Sequence, residues 1–253
     1  MEEQPTRRYR MELQYDGTGL HGWAKQAGLL TVQGCLEEAF ATVLGQVPVM
    51  QVAGRTDAGV HARRQVVSLD LPRKVDVERL RASLNALTPA GIAILGLFPA
   101  AWDFDARRDA VSRTYRYFIF LGPVRSPFWA RYSWHIPYAL DLAAMRGAAA
   151  AVVGKHNLRA FTPAETEHVY FERQVFRCRW VRKARTCIYL EIEAEAFLRH
   201  MVRVLVGTMV EVGMRKRSLS SFLELLKGSP RLAAGPTAPA CGLFLWDVRY
   251  KRR

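Results

Sequence analysis

This 253-residue chain is poor in cysteine, short of acid and without a long apolar run. Each shortage excludes something. The four cysteines, Cys35, Cys178, Cys187 and Cys241, form no Cys-x-x-Cys pair, so no disulfide scaffold is expected and reduced thiols in the cytoplasm fit best. His21, His61, His135, His156, His168 and His200 show no His-x-x-x-His spacing, which removes the common zinc pattern, and no metal is expected. No stretch approaches the roughly 20 apolar residues that cross a bilayer. Neither end carries an amphipathic anchor, and the opening MEEQPTRRYR lacks the apolar centre of a signal peptide, so no membrane association is expected. Acid is scarce: 23 Asp plus Glu against 37 Lys plus Arg leave a formal charge of +14 and a pI near 10.1. A positive field of that size makes nucleic acid the default partner.

What is present is an ordinary globular composition, with 50% hydrophobic residues, enough for one large domain or two small ones. Alternating or β-rich runs predict strands near Tyr9–Tyr15, Val47–Ala53, Gln65–Leu71 and Ile92–Phe98, with helices near Val32–Leu44 and Val75–Leu87. Past Asp105 the signals return. Strands are predicted near Arg113–Leu121, Gln174–Val181, Cys187–Ala194 and Leu243–Tyr250, and helices near Leu140–Val153, Phe197–Val212 and Leu219–Leu226. The order strand, helix, strand, strand, helix, strand thus occurs twice, which suggests two split βαβ, ferredoxin-like halves, residues 1–105 and 106–253. A cleft between such halves is the usual place for a ligand.

One stretch is less generic than the rest. Ala53 to Ala62, AGRTDAGVHA, sets a single carboxylate, Asp57, between Arg55 and two glycines at a loop tip. Gly54 and Gly59 suit tight turns, and the Arg55 guanidinium offers a fork of donors to a phosphate or carboxylate. Asp and Gly also make plain turns, so the loop alone does not prove a site. Upstream, Gly17, Gly19 and Gly22 spell G-x-G-x-x-G after a strand. A dinucleotide fingerprint needs a helix opening at the motif, but Gly28 intervenes and Thr31 reads as the next helix cap. A loop beside an RNA backbone fits better.

Other patterns are weighed against their plain counterparts. Asp103 and Asp105 would share a face of an extended segment, as in a metal or glycosidase pair, yet their turn-rich context favours solvated carboxylates. Glu191, Glu193 and Glu195 alternate with Leu190, Ile192 and Ala194, which reads as the wet face of a strand. Arg113, Tyr115 and Tyr117 share a strand face on which a base can stack, although core tyrosines follow the same pattern. Arg199 and Arg203 lie four apart on an otherwise apolar predicted helix, where a partly buried cation requires an anionic partner. Basic clusters stand at Arg7, Arg8 and Arg10, at Arg63 and Arg64, at Arg107 and Arg108, and from Arg177 to Arg185, with Lys251, Arg252 and Arg253 as a basic end. Together they predict salt-dependent phosphate contacts.

Five stretches in order carry a resemblance: YDGTGLHGW at Tyr15–Trp23, AGRTDAGVHA, SRTYRYFI at Ser112–Ile119, FLRHMVRVLVGTM at Phe197–Met209 and TAPACGLFLWDV at Thr237–Val248. They make the chain similar to the tRNA pseudouridine synthase A family along nearly its whole length. The resemblance implies an α+β fold, the pseudouridine synthase fold, with two ferredoxin-like halves joined in a continuous antiparallel sheet around a central active-site cleft, and a homodimer. It implies isomerisation of uridine to pseudouridine at positions 38, 39 and 40 of the tRNA anticodon arm, with no cofactor. Asp57 is then the catalytic carboxylate, as nucleophile or as a base removing a sugar proton, Arg203 its cationic partner and Tyr115 the ring against uracil, with Arg55 and Leu243 also contacting substrate. Three positions depart from the family pattern: Ala24 in place of glutamine, Asp105 in place of histidine, and Asn157-Leu158 in place of Asp-Phe. Two other readings keep the same residues: a catalytically silent RNA-binding protein, and a nuclease or glycosylase using Asp57 with Asp103.

Overall fold

The computed structural model describes residues 6–166 and 168–251; residues 1–5 of the opening segment and Arg252 and Arg253 of the basic end lie outside them. The chain divides into two compact units, residues 1–111 with 245–253, and residues 112–244. Both are mixed α+β, with mostly antiparallel strands.

The first unit runs β1 (Thr6–Tyr15), α1 (Val32–Leu44), β2 (Gln51–Val52), β3 (His61–Pro72), α2 (Val77–Leu87) and β4 (Ile92–Pro99). Its sheet has the order β4-β1-β3, with β2 on β3, every pairing antiparallel. That is the strand order of a split βαβ arrangement. α1 buries Val32, Cys35, Leu36, Ala39 and Phe40, spaced to form one stripe, and Thr31 caps it by accepting the Gly34 N–H at 3.2 Å. α2 starts at Val77 rather than Val75 because Asp76 accepts the Arg79 N–H at 3.0 Å. The strand predicted over Val47–Ala53 shrinks to two residues. Pro48 removes a ladder donor from that run, and Val47 and Val49 are exposed.

The second unit holds most of β5 (Ala110–Phe120), then β6 (Trp134–His135), α3 (Leu142–Ala151), β7 (Gly154–Asn157), β8 (Glu172–Ala184), β9 (Cys187–Ala194), α4 (Met201–Gly213) and α5 (Leu219–Leu225). Its sheet order is β5-β9-β8-β7, with β6 parallel to β5. The final strand, β10 (Leu243–Tyr250), opens in this unit and has Leu245 onward in the first, where it neighbours β3. β6 and β7 are too short for a periodic signal. α4 begins at Met201, four residues later than its apolar run suggests, because His200 takes a left-handed conformation (φ 59°) that interrupts the helix. Arg199 therefore lies in the preceding turn and shares no helix face with Arg203.

The glutamates of β9 are not a wet face. Glu191 and Glu193 are 3% and 4% exposed. Glu191 accepts from Arg116 Nε at 2.9 Å and from Arg179 Nη2 at 2.8 Å, and Glu193 accepts from Ser112 Oγ at 2.6 Å and Arg177 Nη2 at 2.8 Å. Cross-strand register sets these acids directly opposite their cations, Arg116 and Arg179 facing Glu191, and Arg177 facing Glu193. In the first sheet, too, arginines pair with acids of other strands. Arg64 donates to both Glu12 oxygens (3.0 and 2.9 Å) and to Asp247 (3.1 Å), and Arg8 donates to both Asp70 oxygens (2.7 and 2.8 Å). Arg8, Arg64, Arg177 and Arg179, four of the arginines anticipated for phosphate, are thus paired with acids within the sheets.

Burial pushes the Glu191 carboxyl upward, but bonds from Arg116 and Arg179 outweigh it and hold the group below its ordinary 4.5. A depressed carboxylate stabilises the fold above its unfolded pKa and loses that contribution as pH falls through the folded value. Glu191→Ala is therefore expected to lower unfolding free energy by about 2 kcal/mol at pH 7. The deficit relative to the parent should shrink below pH 4.5, as measured by urea titration across the pH range.

Candidate active site

Two loops of the first unit form one clamped assembly. The chain leaves β1 at Tyr15, turns through Asp16–Trp23 and meets the loop between β2 and β3 that carries Asp57. Backbone bonds tie them: Trp23 N–H to Thr56 O at 3.0 Å, and Gly59 N–H to Leu20 O at 3.1 Å. His61, buried at the start of β3, accepts the Gly17 N–H on Nδ1 at 3.0 Å. The glycines are needed for this contact. A Cβ on Gly17 would stand 2.2 Å from Val60 O, and one on Gly22, whose φ is 87°, would stand 2.6 Å from Thr56 O. The G-x-G-x-x-G stretch is accordingly a brace for the acid loop.

Beneath the loop lies a buried polar triad. The Tyr15 hydroxyl is 2.8 Å from Thr56 Oγ1, and Gln65 Nε2 donates to that hydroxyl at 3.2 Å and to Gly54 O at 2.8 Å. Burial drives the Tyr15 hydroxyl up to about 12, against the bonds from Thr56 and Gln65, so it stays protonated at neutral pH and remains a fixed partner for Thr56. With Thr56 and Gly59 held, Asp57 is partly exposed, and Arg55 and Ala58 are exposed. Such a loop can present a carboxylate to a ligand without rearranging. Thr56 and Gln65 went unremarked in the sequence. Gln65 aligns with Leu13 across the ladder and is wholly buried, a placement that only the folded sheet reveals.

Tyr115, Arg203 and Leu243 belong to the second unit. Tyr115 is 8% exposed on β5, and the Phe197 ring meets it edge-on at 4.8 Å, which fixes the plane of the phenol. Arg113, two residues earlier, is buried and donates to Glu195 O at 2.7 Å. Tyr117 is a core tyrosine. Its hydroxyl donates to Pro239 O at 2.8 Å, and burial lifts it well above 10. Arg203 donates from Nε to Ala238 O at 2.8 Å while Ala238 N–H returns a bond to Arg203 O at 3.1 Å. The guanidinium is therefore anchored by one nitrogen to the segment that leads into β10, where Leu243 is buried.

The remaining candidates carry structural roles. Asp105 accepts the N–H groups of Arg107 and Arg108, both at 2.8 Å, and so closes a turn; Asp103 is exposed. Asn157 accepts the Arg159 N–H at 3.2 Å. Among the described residues no three His, Cys, Asp or Glu side chains gather to hold a metal ion, and no helix is long and apolar enough to cross a membrane.

Known proteins resemble this chain closely. A family model described as tRNA pseudouridine synthase matches residues 148–251. The tRNA pseudouridine synthase A of Syntrophotalea carbinolica is 42% identical over 241 residues, covering 95% of this chain and 95% of that protein. That of Moorella thermoacetica is 42% identical over 243 residues, covering 95% and 98%, and that of Methylacidiphilum infernorum 38% identical over 243 residues, covering 96% and 95%.

The clamp makes a stability prediction. Gly17→Ala should cost about 1–3 kcal/mol, because the added methyl meets backbone rather than a yielding side chain. Hydrogen exchange should show faster exchange at the Gly59 and Trp23 amides than in the parent, with the helices α1 and α2 unchanged.

Proposed function

The chain belongs to the tRNA pseudouridine synthase A family, and from this we propose that it isomerises uridine to pseudouridine at positions 38, 39 and 40 of the tRNA anticodon arm, as a cytoplasmic homodimer. The reaction cuts the bond between N1 of uracil and C1′ of ribose, turns the base, joins C5 to C1′ and releases the C5 proton. Nothing is oxidised or consumed, so the chemistry requires only an acid held in place, a surface for the base, and charge control.

The observation that carries the reading is the rigid support beneath Asp57. Its neighbours Thr56 and Gly59 are bonded to the brace, leaving the carboxylate on a fixed backbone. Asp57 attacks the ribose, or removes a sugar proton, while the base leaves. A stacked uridine must first leave its helix. Tyr115, with its ring plane set by Phe197, supplies a flat contact for the everted base, and its hydroxyl relays a proton. Arg203 serves as the cationic partner, its orientation set by the bond to Ala238. Arg55, exposed beside the acid, contacts RNA phosphate, and Leu243 lines the base pocket.

Tritium release from tRNA labelled at uridine C5 tests this directly. Asp57→Ala should lower release at least about a thousandfold, with tRNA affinity within about threefold of the parent, because one carboxylate weighs little against a charge of +14. Residual turnover near the parent rate would remove Asp57 from its role. Arg203→Met should reduce kcat about a hundredfold and affinity far less. Equal losses in both would make it a phosphate contact. Release of free uracil or cut RNA would point to a glycosylase or a nuclease.

A further inference from the structure

The first unit carries a second candidate ligand site that the reaction does not use. A pocket of about 390 Å³ opens at the Thr6 end of β1, lined by Arg7, Arg8, Asp70, Arg73 and Trp102, among others. Its size falls within the range of small-ligand sites. Its charges are already sorted. Asp70 takes both of its close hydrogen bonds from Arg8, whose third donor goes to Phe104 O at 2.8 Å, so this pair forms a neutral floor. Arg7 and Arg73 are exposed, and neither has an ion pair among the described residues. Beside them the indole of Trp102 is 86% exposed. A lone surface tryptophan needs no explanation. An open indole sharing a pocket with two unpaired guanidiniums is the combination that receives a nucleotide, base on the ring and phosphate on the cations.

The site is distant from the acid loop along the strand. Thr6 pairs with Pro72 and Tyr15 with Ala62, so the pocket and the Asp57 loop stand at opposite ends of the β1–β3 ladder. Nine residue steps at about 3.3 Å place them roughly 30 Å apart, on the order of one turn of a nucleic-acid duplex. A compact mononucleotide cannot reach both, whereas a folded RNA can. Single cationic surfaces also attract acidic peptides, but those give an exposed indole no flat partner.

We propose that Trp102, Arg7 and Arg73 form a second RNA contact that takes one unpaired nucleotide of the same tRNA, its base stacked on Trp102 and its phosphate held by Arg7 and Arg73. This rests on the reading of tRNA as substrate. It makes the pocket a determinant of affinity and leaves the chemical step to the Asp57 loop.

The test is a binding titration with an unmodified tRNA transcript at several salt concentrations, alongside tritium release. Trp102→Ala should weaken binding about tenfold while Trp102→Phe stays within about twofold, since the phenyl ring keeps the stack. Arg7→Ala with Arg73→Ala should flatten the log–log salt slope by about one to two. The kcat at saturating tRNA should be unchanged in all of them. Parent-like binding by Trp102→Ala overturns the proposal, as does an equal loss on heparin, a polyanion without bases. The two readings fail separately. Trp102-dependent binding without tritium release would keep this contact and overturn the isomerase activity; normal release with Trp102-independent binding would do the reverse.

Discussion

The acid loop is held by the loop before it, and the rest of the site depends on that clamp. Asp57 stands partly exposed on the loop between β2 and β3. Its position comes from main-chain bonds to Leu20 and Trp23, from the contact of Gly17 with Val60, and from a tyrosine hydroxyl that burial keeps protonated. Each partner is backbone or a buried group with few rotamers, so little entropy remains to be lost when a substrate arrives. A carboxylate on a looser loop would sample many positions, most of them useless to a reaction that must keep hold of a freed base.

The charge pattern follows a related economy. A formal +14 suggests a surface uniformly hungry for phosphate, yet several arginines complete cross-strand pairs with Glu12, Asp70, Glu191, Glu193 and Asp247. Their function is to let glutamates sit inside a sheet face. The positive field that remains for RNA comes from exposed side chains on loops and strand ends, such as Arg7, Arg55 and Arg73. Net charge therefore identifies the kind of partner and says little about which residues meet it.

Periodicity made most of the architecture legible. α1 matches its predicted bounds because Thr31 and Gly45 punctuate a clean apolar stripe. The doubled element order was visible because the strands other than β2, β6 and β7 run for eight residues or more. Failures had local causes: Pro48 inside an apolar run, a left-handed His200 ahead of α4, and two strands of two and four residues. The glutamates of β9 misled for a different reason. Alternation tells which residues share a face, but their burial depends on arginines from β5 and β8, far away in sequence. At the site, the motif Ala53–Ala62 exposed the acid, while Gln65 and Thr56 stayed hidden because their importance lies in partners that only folding brings near.

The last strand lends the chain a temporal property. Residues 245–253 belong with the first unit, although the whole of the second is synthesised in between. β3 has only the two-residue β2 on that side until β10 emerges, and a ribosome adding about 5–20 residues per second leaves this edge uncovered for roughly 10 to 30 s. An uncapped strand is an invitation to stray pairing. Nascent-chain quality control would therefore meet this protein half-finished, and stop codons close to the 3′ end of its message would harm the part that was translated first.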